Sequence, residues 1–108
     1  MNNYDRMVRQ RPFLQSILQE ANQKKRAALI DYANKDQINA VSELVLNTLK
    51  GRVPISQATH SHLARHKNTL RKLARRKTSL KARKKLLQSQ KGGGFWKGLE
   101  CCHRQCRI

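Results

Sequence analysis

Between Glu43 and Glu100 the chain has no acidic residue, a gap of 56 consecutive positions. Over residues 50–91 it nevertheless carries 14 Lys and Arg. Such a segment cannot neutralise itself. It calls for a polyanion, nucleic acid first and an anionic membrane surface second. Aromatic residues are also scarce, at 5% of the 108 residues, and none lies between Tyr32 and Phe95. That absence gives no support to binding of a single strand by base stacking.

Other absences narrow the class further. No stretch approaches the ~20 apolar residues of a membrane-spanning helix, so a membrane is not the expected partner. Met1–Arg6 holds no apolar signal core, and secretion is not expected. Asn2 stands where myristoylation needs glycine, and Cys106 is third from the end, which does not fit prenylation. All three cysteines fall within residues 101–106, where no disulfide can staple distant parts of a fold. A reducing, intracellular setting follows. Acids are sparse, no glycine-rich loop follows a strand, and no cysteine has an evident base beside it, so the chain is not expected to be an enzyme or to need a cofactor. Zinc-finger spacing and a ribonucleoprotein sheet motif are missing as well.

What remains is a strongly cationic chain with 24 Lys and Arg, 6 Asp and Glu, and a net charge of +18. Apolar residues make up 38%, little for a well-filled core. A chain of this size buries roughly 60–70% of the surface it exposes when unfolded. Self-repulsion adds to that burden, so the chain is expected to be marginal alone and better ordered when bound.

The pattern predicts an all-α protein, a small helical bundle made of a helical hairpin, one or two basic helices and a disordered tail. Residues 1–11 are expected to be flexible. Over 12–50, Pro12 opens a helix whose apolar face is Phe13, Leu14, Ile17, Leu18, Ala21, Ala28, Leu29 and Tyr32. Lys24, Lys25 and Arg26 interrupt that face. Asp36 is the expected N-cap of a second helix bearing Ile38, Val41, Leu44, Val45 and Leu49. That helix stops at Lys50-Gly51. Residues 51–55 form an extended connector, because the residue before Pro54 is pushed out of the helical region.

Residues 56–90 form the basic helical region. Ser56 caps a helix reaching about Arg76, with a thin stripe of Leu63, Leu70, Leu73 and Ala74. Thr78-Ser79 is a second cap or a kink before Leu80, Leu86 and Leu87. The leucines have some heptad spacing, but Lys77 and Lys84 fall on the line through Leu63 and Leu70, so a stripe docked on the first hairpin fits better than a coiled coil. Gly92-Gly93-Gly94 is expected to end regular structure, leaving 91–108 as a flexible Gly/Cys-containing tail.

The candidate nucleic-acid-binding residues are Arg65, Lys67, Arg71, Lys72, Arg75, Arg76, Lys77, Lys81, Arg83, Lys84 and Lys85. Long flexible cations around a leucine stripe reach phosphates on both strands flanking a groove and release counterions as they bind. Asn68 and Gln57 are able to read a base edge, but nothing selects them. His62 and His66 have a metal-compatible spacing on a helix, yet no Asp, Glu or Cys lies near enough in sequence to complete a site. Cys101, Cys102, His103 and Cys106 are soft ligands, but the adjacent cysteines make joint ligation awkward and no second knuckle exists. Acylation of the pair or plain thiol reactivity fits better. Phe95, Trp96 and Leu99 read as a short apolar patch for a partner or a membrane surface.

The run Tyr32-Ala33-Asn34-Lys35-Asp36-Gln37-Ile38-Asn39-Ala40, then Leu49-Lys50-Gly51 with Pro54, then His66-Lys67 through Lys85-Leu86-Leu87, closing on Lys91-Gly92-Gly93-Gly94-Phe95, resembles a group of short basic proteins. They are encoded by virus-like mobile elements of the Maverick/Polinton kind and by adenovirus-like viruses in animals. The similarity spans about residues 30–95. The resemblance implies a small DNA-condensing or capsid-associated core protein, virion-associated or nuclear. Those relatives continue after the Gly-Gly-Phe element with a long apolar segment, whereas this chain turns to Lys97-Gly98-Leu99-Glu100.

The expected function is therefore sequence-independent binding or condensation of nucleic acid, DNA before RNA, through phosphate contacts. The alternative is a scaffold or capsid-interaction protein whose basic helices meet an acidic protein surface. In either case residues 13–49 offer an apolar face for a second copy or another protein.

Overall fold

The computed structural model describes residues 3–51, 55–75, 77–90 and 93–105. The described residues form eight helices and no strand, consistent with the all-α expectation. Arg76, Lys91, Gly92 and Cys106, all named above, lie outside the described residues.

The organising element is α4 (Lys35–Leu49), which buries Ile38, Ala40, Val41, Leu44 and Val45. Its N-cap is Asn34, not the expected Asp36, which sits in the first turn. Asn34 Oδ1 accepts from the Gln37 N–H at 2.9 Å, and Gln37 Oε1 accepts from the Asn34 N–H at 2.9 Å. This reciprocal box satisfies two orphan donors where Asp36 would satisfy one. At the other end Lys50 is the C-cap and Gly51 takes φ +69°, the left-handed turn that glycine adopts without a Cβ penalty.

Around α4 pack α1 (Asn3–Arg9), α2 (Arg11–Gln19), α6 (Lys67–Ala74), α7 (Leu80–Gln88) and α8 (Gly93–Gln105). The N-terminal segment, expected to be flexible, is helical and docks Met7 into the core. Arg6 Nη1 reaches Glu43 Oε1 on α4 at 3.2 Å.

The expected helical hairpin over 12–50 is rearranged. The chain leaves the helix at Glu20, and a new helix, α3 (Gln23–Asp31), starts at Asn22, whose side chain caps the Lys25 N–H. This break changes the phase of the apolar face. Ile30 becomes the buried residue of α3, while Leu29 is 38% and Tyr32 88% exposed. Instead of pairing with α4 as a simple hairpin, α3 packs against α7 and α2.

The long basic helix is also divided, into α5 (Gln57–Ala64) and α6, by a turn at Arg65-His66. Ser56 and Ser79 cap α5 and α7 as the sequence predicts, accepting from Thr59 N–H and Ala82 N–H. The leucine stripe of Leu63, Leu70, Leu73 and Leu87 is buried in the common core.

The largest departure is at the C-terminal end. Regular structure does not stop at the glycines, since Gly93–Gln105 is helical. Phe95, Trp96, Leu99 and Cys102 are all in the core, so the apolar patch read as partner- or membrane-facing covers the chain's own interior. Helix α8 lies close against α5 because Gly98 has no side chain: a Cβ there would sit 2.6 Å from Leu63 Cδ2. The radius of gyration is 12.5 Å, near the roughly 13 Å of a compact chain of this length.

Candidate nucleic-acid interface

The apolar residues of α6 and α7 point the cations outward. On α6, Leu70 and Leu73 face the core, so Lys67, Arg71 and Lys72 are left exposed. Arg65 and Arg75, in the turns at either end of α6, are exposed too. Between the helices, Thr78 Oγ1 donates to the Lys72 carbonyl at 2.8 Å and holds the turn that carries Lys77. On α7, Leu87 is buried while Lys81 and Lys85, four residues apart, are exposed. Eight of the named cations thus reach solvent. Among the described residues none of these eight is held in an ion pair with a carboxylate.

Two named residues are otherwise engaged, and Arg76 lies outside the described residues. Arg83 is only 4% exposed. Its Nη1 donates to Asn39 Oδ1 at 2.8 Å and to Ser42 Oγ at 2.9 Å, both on α4. The reading of Arg83 as a phosphate contact is corrected: it lies on the Leu87 side of α7, one turn away, and bonds the bundle together. Lys84 is half-buried, and its Nζ donates to the Asp31 carbonyl at 2.9 Å. That carbonyl ends α3, where an ammonium also meets the negative end of the helix dipole. Lys84 therefore ties α7 to α3.

Lys97, outside the named set, is exposed as well. It is on α8 next to Gly98, the residue that packs against Leu63 of α5. Its signal lay in Phe95, Trp96 and Leu99, a helical apolar spacing read as tail.

The histidines are separate. His60 and His62 are exposed, and His66 stands edge-on to Phe95 with ring centres 5.4 Å apart. Among the described residues no group of three or more His, Cys, Asp or Glu is placed to hold a metal ion. Cys101 is exposed and Cys102 buried, so the adjacent thiols do not face a common point. His103 is nearly buried, and desolvation, with Arg11 nearby adding to it, lowers its pKa from the ordinary 6.5. No helix among the described residues is long and apolar enough to cross a membrane.

Comparison with protein-family models, curated proteins and solved structures finds no match for this chain.

Proposed function

We propose that this protein binds nucleic acid without regard to sequence, by phosphate contacts from the outer face of α5–α7, and that it acts as a packaging or condensing protein rather than an enzyme. The observation that carries the reading is the set of eight exposed cations, Arg65, Lys67, Arg71, Lys72, Arg75, Lys77, Lys81 and Lys85, without carboxylate partners among the described residues. They project from short helices and the turns beside them, anchored by Leu70, Leu73 and Leu87, so the backbone is already in place and only the side chains are ordered on binding. Phosphate matches this surface because each neutralised contact releases a condensed counterion. Duplex DNA suits it better than a single strand, since the face offers no aromatic platform for bases. A core-protein role in a virus-like particle or a nucleus is the setting this chemistry fits.

The test is fluorescence anisotropy of a labelled random-sequence duplex across roughly 50 to 300 mM salt. About eight phosphate contacts predict a log–log slope near −7, with no preference among sequences. Arg71→Glu with Arg75→Glu weakens binding and flattens the slope. Weak binding at the lowest salt would overturn the reading.

A further inference from the structure

Besides the cationic outer face, three grooves lined by described residues differ in how their charges are balanced. One, between α2, α3 and α4, contains Glu20 with Lys25. A second, beside α1, α4 and α7, contains Asp36 and Glu43 with Arg6, Lys35 and Arg83. Each therefore supplies its own counter-charge. The third runs between the end of α4, α5 and α6 and has no carboxylate among its lining residues. Its floor is Leu63 and Leu70, one wall is Leu49, and His60, Lys67 and Arg71 stand at its rim.

We infer that this third groove is a docking site for an acidic amphipathic peptide segment of a partner protein, one that seats apolar side chains on Leu49, Leu63 and Leu70 and sets carboxylates against Lys67 and Arg71. Two observations select this occupant. The rim is cationic and uncompensated, which demands negative charge in the ligand. The interior is apolar, and Leu49 is 40% exposed in the free chain, which demands apolar groups to cover it. A nucleic-acid backbone satisfies the first demand and leaves the second unmet. A flat lipid surface meets both kinds of chemistry but does not fill a concave site. The groove measures about 330 Å³, near the lower limit of roughly 300 Å³ for ligand pockets, a size suited to a few side chains of a peptide.

The site shares Lys67 and Arg71 with the nucleic-acid face, so an acidic peptide seated there competes with phosphate at those two positions. Occupancy would weaken nucleic-acid binding without abolishing it, since Lys77, Lys81 and Lys85 lie on other elements. The groove itself stands on its own geometry and does not require the nucleic-acid reading to hold.

The experiment uses the full chain and two labelled synthetic peptides of equal negative charge. One carries two leucines flanked by glutamates; in the other the leucines are replaced by asparagines. The leucine peptide is expected to bind at least roughly tenfold more tightly, the worth of about 1.4 kcal/mol. Ala64→Phe, which places a ring in the groove from an exposed position of α5, removes that preference and leaves duplex binding in place. Leu49→Asn, at a half-open position, is expected to do the same if Ala64→Phe disturbs folding, with circular dichroism confirming native helicity. Lys81→Glu with Lys85→Glu acts in the opposite sense, lowering duplex affinity while sparing the leucine preference. Equal binding of the two peptides, or a preference that survives both groove variants, overturns the proposal. So does self-association that Ala64→Phe abolishes in sedimentation while neither peptide binds, which would make the occupant a second copy of the chain.

Discussion

The Arg26 guanidinium carbon lies 4.5 Å from the centre of the Trp96 ring, which ties a basic residue of α3 to the only tryptophan, on α8. The same guanidinium donates through Nε to the Ile17 carbonyl at 2.8 Å and through Nη2 to the Glu20 carbonyl. These carbonyls end α2, so Arg26, from the first turns of α3, caps one helix and roofs the indole of another. Trp96 in turn donates Nε1–H to the Gln90 carbonyl at 3.2 Å, just beyond α7. Desolvation lowers the Arg26 pKa from its ordinary value, with Glu20 opposing the shift. A guanidinium nevertheless stays protonated. Of a run of three basic residues that looks like solvated surface, Lys24 and Lys25 are exposed while Arg26 sits at the hub between these helices.

This hub makes the C-terminal helix a stabilising element. Trp96→Ala is expected to cost about 3–5 kcal/mol, as for other buried aromatic truncations. Arg26→Met, which keeps the apolar stem and removes the cap and the cation, should cost about 1–3 kcal/mol. Urea unfolding followed by helicity measures both. If Trp96→Ala left the midpoint in place, α8 would not be part of the cooperative fold.

Two neighbouring cations of α7 should separate cleanly in function. Lys81→Ala is expected to change stability by less than about 0.5 kcal/mol and to reduce the magnitude of the salt slope for duplex binding by about 0.9. Arg83→Met removes hydrogen bonds to Asn39 and Ser42. It should cost about 1–3 kcal/mol of stability while leaving the salt slope of the folded protein unchanged. Urea melts and anisotropy on the same two variants check both halves.

Stability should depend on pH through His103. Its folded-state pKa lies below the ordinary 6.5 because burial, and then Arg11, disfavour the imidazolium. Its Nε2 is buried without a hydrogen-bond partner among the described residues. The unfolded chain therefore binds the proton first as pH falls. The full stability is present above 6.5 and declines as pH drops toward the lowered folded value, by at most about 1.4 kcal/mol per pH unit for one group. His103→Gln should flatten that part of the profile relative to the parent chain, as read from urea midpoints between roughly pH 7 and 5. An unchanged profile would mean that His103 does not titrate differently on unfolding.

The helical class, the caps at Ser56 and Ser79 and the stop at Lys50-Gly51 are legible along the chain because each depends on residues within one or two turns of itself. The same holds for the acid-free stretch and for the leucine stripe, whose buried positions follow from spacing alone. Asn34 and Asp36 show where local reading reaches its resolution: both are good caps, and only the reciprocal bond with Gln37 decides between them. Which cations face solvent is a different kind of question. Lys81, Arg83, Lys84 and Lys85 look alike in sequence, yet two reach water, one bonds α4 and one bonds α3. Their fates follow from where α7 rests on its neighbours, an arrangement made by contacts more than forty residues apart in the chain. Likewise Phe95, Trp96 and Leu99 carry a helical spacing too short to reveal what it faces. Their burial depends on α2, α4 and α5, against which α8 packs, with Gly98 leaving the room for Leu63. Charge and local helix signals are properties of the chain; the division of its cations into surface and scaffold belongs to packing, because only a folded neighbour can compete with water for a buried guanidinium or ammonium.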